Sequence, residues 1–251
     1  MKTESYTPGH SDNASDFMSR RSLHSHGEFF SVYLTPGLSV LDCGCGPGTI
    51  TLGIGERVAP GAVMGVDFGA SQIERATRTA LSVGVTNVTF QTADCYALPF
   101  ADNSFDRVFS HALMEHLWDP VRALAECRRV LQPNGIIGVC SPDWGGFMLS
   151  PTSIELSRAI AAYTSLQAKN GGNVGVGRQL GTLLANAGFK KVQMSARYEC
   201  YPSLSFIGEY LALQLDRAND FELAGVLRNW SQSEGGMFAQ AWVSATACRE
   251  L

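Results

Sequence analysis

Apolar and polar residues change rhythm repeatedly along this chain. SVLDCG is a short apolar run that ends at Asp42, AVMGVD ends at Asp67, and NVTFQTAD ends at Asp94. FDRVFSHA and IIGVCS are two further apolar runs. Runs this short and this continuously apolar predict strands buried on both faces. Between them lie segments with helical spacing: TITLGIGERVA, closed by Pro60-Gly61; SQIERATRTALSVG, with Ser71 and Glu74 spaced as a capping box; and DPVRALAECRRVLQ, with Asp119 as N-cap and Pro120 in the first turn. Pro133-Asn134-Gly135 predicts a turn before the fifth strand. Upstream, residues 13–34 predict one helix anchored by Phe17, Leu23, Phe30 and Leu34.

Strand and helix alternate with short connections, which predicts an α/β fold: a mostly parallel sheet with helices on both faces. The later part is less regular. PTSIELSRAIAAYTSLQ, RQLGTLLANAGF, SLSFIGEYLALQLDRA and FELAGVLRNW predict helices, and KKVQMSARYECY and MFAQAWVSATACRE predict strands. No shift in composition marks a linker, so the 251 residues are read as one domain with helical additions late in the chain.

The connection after the first strand, LDCGCGPGT, gives up its side chains at Gly44, Gly46 and Gly48. Glycine there permits dihedrals closed to other residues and lets a ligand lie against bare backbone; a tight turn without a ligand would need the same residues. Three strand-end acids, Asp42, Asp67 and Asp94, fall in phase on the same rim. Each alone could cap a helix. Together with the glycine turn they point to a nucleoside, because an acid after the second strand can accept two hydrogen bonds from a ribose diol. The G-x-G-x-G spacing departs from the G-x-G-x-x-G of dinucleotide sites, and Asp42 would repel a pyrophosphate. A ligand with positive charge near the loop suits it better, and S-adenosylmethionine has a ribose, an adenine and a sulfonium.

VLDCGCGPGT, GVDFGASQIERA, TADCYALPFADNSFDRVFSHALMEHLWDP and ECRRVLQPNGIIGV together resemble the successive motifs of the class I S-adenosylmethionine-dependent methyltransferases. They are most similar to the small-molecule branch related to the ubiquinone/menaquinone-biosynthesis C-methyltransferases. The resemblance runs from about Val40 to Val139. It implies a Rossmann-like seven-stranded sheet with the last strand antiparallel. It also implies a domain over 1–251 comprising an N-terminal helical lid at about 13–34, a cofactor-binding core at about 38–141, and substrate-covering additions at about 150–170 and 203–235. Carried over, Gly44, Gly46 and Gly48 line the methionine part of the cofactor, and Asp42 balances its amino group. Asp67 takes the ribose hydroxyls, with Phe68 on the adenine and Gln72 nearby. Asp94 and Cys95 meet the adenine edge, and Ser110 and His111 sit under the methionine and sulfonium. Cys43 and Cys45 depart from the family pattern and are read as small packing residues.

Methyl transfer needs alignment and exclusion of water, and a base only if the acceptor must lose a proton. His116, then His111, are the candidates for a base or an acceptor-orienting group, with Glu115 between them. His116 packing in the HLWDP turn is the competing reading. Arg20 or Arg21, on the lid, is placed to meet the methionine carboxylate. His10, His24 and His26 do not have the spacing of a metal site, and no metal is expected. Trp144, Phe147, Met148, Tyr163, Phe206, Tyr210 and Trp230 either fill the core or line a pocket for an apolar, aromatic small-molecule acceptor. A net charge of −4 argues against nucleic acid as partner. SHALMEHL replaces an N-P-P-Y tetrapeptide after the fourth strand, which disfavours methylation of adenine or of a glutamine amide. No apolar run reaches a membrane span, no secretory signal is evident, and seven cysteines in a chain of this size read as free thiols. The expected protein is cytoplasmic, a monomer or homodimer. A nicotinamide-dependent oxidoreductase and a non-catalytic adenosyl-ligand binder are the competing functions.

Overall fold

The computed structural model describes residues 6–7, 12–201 and 203–250, so His10 lies outside the described residues. Seven strands form one sheet: β1 (Val40–Cys43), β2 (Val63–Asp67), β3 (Val88–Thr92), β4 (Phe105–His111), β5 (Leu131–Ser150), β6 (Lys190–Cys200) and β7 (Met237–Cys248). Their order is β3-β2-β1-β4-β5-β7-β6. The pairs from β3 through β5 are parallel, and β7 runs antiparallel to both β5 and β6. The order reverses between β1 and β4, which opens a crevice beyond their carboxyl ends. The glycine turn sits there.

Both faces are covered, as the apolar runs require. On one face α4 (Thr49–Val58) packs with Phe30, Leu34 and Phe109. On the other, α6 (Pro120–Val130) and α8 (Leu180–Asn186) bury Leu124, Cys127 and Leu180 against Val108 and Ile137. α5 (Ala70–Val83) lies beside β2 and β3. A separate cluster joins α7 (Ile154–Lys169), α9 (Leu204–Arg217) and α10 (Phe221–Trp230) around Leu211, Leu227 and Phe238. Asp119 caps α6 by accepting from the Arg122 amide at 3.1 Å, with Pro120 in the first turn.

Three local expectations are corrected. The helix expected over 13–34 is three short helices, α1 (Asp12–Ser19), α2 (Leu23–His26) and α3 (Glu28–Ser31). Ser22 and Ser25 form a capping box that starts α2, and Gly27 ends it. The breaks send Phe17 into the late-helix cluster and Phe30 and Leu34 under the sheet. The Ser71/Glu74 box does not form, because α5 begins at Ala70 with Gly69 as its N-cap and no side-chain cap. Pro133-Asn134-Gly135 falls inside β5, since Asn134 and Gly135 bond to Arg249 at the end of β7 (2.7 and 3.0 Å). β5 also continues past Ser141 along β7, with an irregularity between Asp143 and Met148.

Gly48 adopts φ 80°, and a Cβ there would stand 2.7 Å from the Phe90 ring and 2.8 Å from the Ala76 methyl. Gly48→Ala should therefore combine a left-handed penalty with overpacking and lower stability by roughly 2–4 kcal/mol. Urea unfolding should show a lower midpoint at unchanged slope; an unchanged midpoint would mean the turn relaxes freely.

Candidate functional site

The turn between β1 and α4 is held to β2 by its own backbone. Gly44 and Cys45 both donate to the Val66 carbonyl, at 2.8 and 2.9 Å. Gly44, Gly46 and Gly48 all have positive φ. Asp67, half-buried at the end of β2, accepts from the Gly46 amide through one carboxylate oxygen (2.9 Å) and from the Gly69 amide through the other (2.8 Å). The second strand-end acid thus fastens the turn to the start of α5. Asp42 is buried and accepts from the Thr51 hydroxyl at 2.6 Å. Burial pushes its carboxyl up to about 7, against the Thr51 hydrogen bond. Asp42 therefore lies under the turn as a partly protonated hydrogen-bonding group. Burial also pushes the Cys45 thiol up, and the Cys127 contact does so for Cys43.

The far end of this edge is open. Phe68 is 80% exposed, and Asp94 is exposed and accepts from the Tyr96 amide at 2.8 Å. Cys95 is half-buried next to it. Gln72 is buried, donates to the Ser15 hydroxyl at 2.9 Å, and keeps its side-chain carbonyl without a hydrogen-bond partner. Ser110 is buried with its hydroxyl also unpartnered. Helix α1 crosses here: Asp16 pairs with Arg75 at 2.9 Å, and a Cβ at Gly46 would stand 3.9 Å from the Met18 sulfur.

Next to the turn lies a cavity of about 550 Å³, its open mouth included. Arg21, Glu115, His116, Trp144, Tyr163 and Tyr210 are in its wall. Phe147, Phe206 and Trp230 pack in and around the late-helix core instead, and Met148 is 43% exposed. Arg20 lies over the Phe206 ring at 3.6 Å. Glu115 occupies a 3-10 turn, Met114–His116, directly after β4. Its carboxylate accepts from the Ser141 hydroxyl at 2.9 Å, and its backbone carbonyl accepts from the Asn173 amide at 2.8 Å. Burial pushes Glu115 up to about 7, partly offset by Ser141 and Arg21. His116 stands beside it, Nε2 to Oε1 3.8 Å, and burial with Arg21 pushes it down to about 3. His116 is therefore neutral at physiological pH.

His111 ends β4 as expected and is buried there. It stacks on Trp242 at 4.7 Å, lies edge-on to His26 at 5.1 Å, and is not in the cavity wall. Neither ring nitrogen has a partner, and burial lowers its pKa well below the usual histidine range. Sequence reasoning passed over Glu115 as a functional group, and also Trp242 and Gln240 of β7, which line the cavity. The signal for Glu115 was its place one residue before His116, in the turn that follows β4. Among the described residues, no group of three or more His, Cys, Asp or Glu side chains is placed to hold a metal ion.

The fold agrees with comparisons to known proteins. A family model described as a methyltransferase domain matches residues 34–188. A ubiquinone/menaquinone biosynthesis C-methyltransferase of Bdellovibrio bacteriovorus is 39% identical over 103 residues, 41% of this chain and 43% of the relative. The YcgJ protein of Bacillus subtilis superposes with a TM-score of 0.65 at 19% identity, covering 89% of this chain and 97% of that one. Phosphoethanolamine N-methyltransferase 2 of Haemonchus contortus, solved with S-adenosyl-L-methionine, gives a TM-score of 0.58 at 17% identity, covering 89% and 53%. At these identities the two solved structures show the fold alone. The chain spans about half the length of the curated relatives it matches, 44%, 52% and 58% for three of them. With a family match over more than half of its residues and the sheet order that goes with it, this chain belongs to the methyltransferase-domain family.

Proposed function

We propose that this protein transfers the methyl group of S-adenosylmethionine to a small, largely apolar aromatic acceptor. One observation carries the reading: the glycine turn pinned by Asp67 opens on the same sheet edge as an aromatic-walled cavity holding Glu115 and His116. The residues present fit the cofactor. Asp67, fixed at the end of β2 by the Gly46 and Gly69 amides, is the acid placed to accept from a ribose diol. The exposed Phe68 face, with Asp94 and Cys95 beside it, suits an adenine. The turn backbone at Gly44 and Gly46, the unpartnered Ser110 hydroxyl and the Gln72 carbonyl suit its polar parts. When bound, the cofactor supplies an electrophilic methyl carbon with a neutral thioether as leaving group.

The chain's own contribution is alignment, dryness and a place for a proton. Trp144, Tyr163 and Tyr210 give the cavity an aromatic wall that packs against a ring and keeps water out. A proton leaving the acceptor goes to Glu115. Its raised carboxyl is matched to neutral pH, whereas His116, pushed down to about 3, is a weak base and a good hydrogen-bond partner for orientation. Ser141 and the Asn173 amide hold Glu115 in place.

Incubation with methyl-labelled cofactor and a cell extract, followed by identification of the labelled product, tests the function directly. Binding of S-adenosylhomocysteine without any labelled product would favour a non-catalytic binder. Asp67→Ala removes the ribose acceptor and both loop bonds, so calorimetry should show about 100-fold weaker S-adenosylhomocysteine binding; wild-type affinity in this variant would reject the cofactor assignment. For an acceptor that loses a proton, the rate should rise with pH through about 7, because Glu115 accepts a proton only once ionised. Glu115→Gln should remove that limb and slow turnover by roughly 10²–10⁴-fold. A limb that persists in Glu115→Gln and disappears in His116→Gln would give the base role to His116.

A further inference from the structure

We propose that the acceptor is an anion: an aromatic carboxylate whose acid group pairs with Arg21 while its ring lies among Trp144, Tyr163 and Tyr210. The inference deepens the methyl-transfer reading of the cavity and rests on it.

Arg21 follows α1 and reaches the cavity wall with its guanidinium 5.6 Å from the Phe17 ring and 5.2 Å from the Trp242 ring. Among the described residues no hydrogen bond or ion pair engages that guanidinium, although it carries five donors. Three arginines elsewhere show the usual pairing, whereas Arg20, next in sequence, meets only the Phe206 ring among the described residues. Arg129 bonds Glu126, Asp102 and two carbonyls; Arg178 bonds Asp143; Arg228 bonds Glu209 and Asp216. Two aromatic faces attract a cation but accept none of its in-plane hydrogens. A half-buried guanidinium held only by rings presents a site for a planar oxyanion, for which its fork geometry is suited.

The cavity does not supply that anion itself. Its one carboxyl, Glu115, is bonded to Ser141 and forms no ion pair with Arg21. His116 is neutral. A cationic acceptor would meet Arg21 with like charge, and a neutral one would leave its donors unmet. The methionine carboxylate of the cofactor is the competing anion for Arg21, whose ring neighbours Phe17 and Trp242 are both in the cavity wall. No glycine of the turn is in the same wall. A second carboxylate, Glu199 of β6, also feels the charge of Arg21, but it is paired with His26 and makes no ion pair with Arg21.

Calorimetric titration of the intact protein, with and without saturating S-adenosylhomocysteine, tests this with 4-hydroxybenzoate and 1-hydroxy-2-naphthoate, their primary amides, and benzylamine. The carboxylates should bind at least about 10-fold more tightly than their amides, and benzylamine most weakly. Arg21→Met should bring carboxylate and amide to within about two-fold, and Arg21→Lys should keep part of the preference. S-adenosylhomocysteine affinity should stay within about three-fold of wild type in both variants, which also shows that they fold. Amides binding as tightly as acids, no carboxylate binding in either condition, or an acid preference that survives Arg21→Met would each overturn the inference. So would a loss of S-adenosylhomocysteine binding in Arg21→Met with the acid preference intact, which returns Arg21 to the cofactor. If wild type binds no S-adenosylhomocysteine yet prefers the acids, the methyl-transfer reading fails and the anion site stands.

Discussion

The geometry of this edge depends on one carboxylate. Asp67 accepts from Gly46 on one side and Gly69 on the other, so a single side chain ties the turn after β1 to the first residues of α5. A turn with three glycines at positive φ loses much backbone entropy on ordering. Charge-assisted bonds to a half-buried acid, and the shared bonds of Gly44 and Cys45 to Val66, offset that cost. The turn is therefore set before any ligand arrives, and its bare backbone is presented rather than found.

The acids on this rim differ because their burial differs. Asp42 is enclosed and hydrogen-bonded to Thr51, so burial holds its carboxyl up to about 7. Asp94 is at the surface and shapes its own turn through the Tyr96 amide. Glu115 is enclosed like Asp42 but faces a cavity. A carboxyl held near neutrality is a structural hydrogen-bonding group when it is walled in. It becomes a proton acceptor when the same desolvation occurs beside an opening.

Most of the sheet was legible from short apolar runs ending in acids, because a strand covered on both faces leaves few residue choices. The glycine turn was legible for the same reason, since few sequences tolerate its dihedrals. What was missed depends on long-range packing. Ser71 and Glu74 have capping-box spacing, but Gly69 starts α5 earlier while its amide is held by Asp67. The PNG segment has turn chemistry, but Arg249 pairs with it from the other end of the chain. Trp242 and Gln240 belong to the cavity only because β7 inserts between β5 and β6, and periodicity within β7 cannot show that. His111 ends β4 as its sequence position suggests, but its enclosure by Trp242 of β7 and His26 of α2 could not be read from β4 alone.

The broken N-terminal segment links the two halves of the site. α1 fixes itself to α5 through Ser15 with Gln72 and Asp16 with Arg75, beside the glycine turn. One residue further, Phe17 stacks on Tyr210 of α9 at 4.0 Å, in the cavity wall. Arg21 follows at the break before α2, and His26 then anchors α2 to Glu199 of β6 at 3.3 Å. A continuous helix through 13–34 would carry these groups along one straight axis and could not reach α5, α9, β6 and the underside of the sheet in turn. The breaks at Ser22 and Gly27 are what allow one segment to touch the glycine-turn edge and the aromatic cavity together. α1 thus places Met18 beside the turn and leads directly to Arg21 in the cavity wall, so one short segment borders both regions.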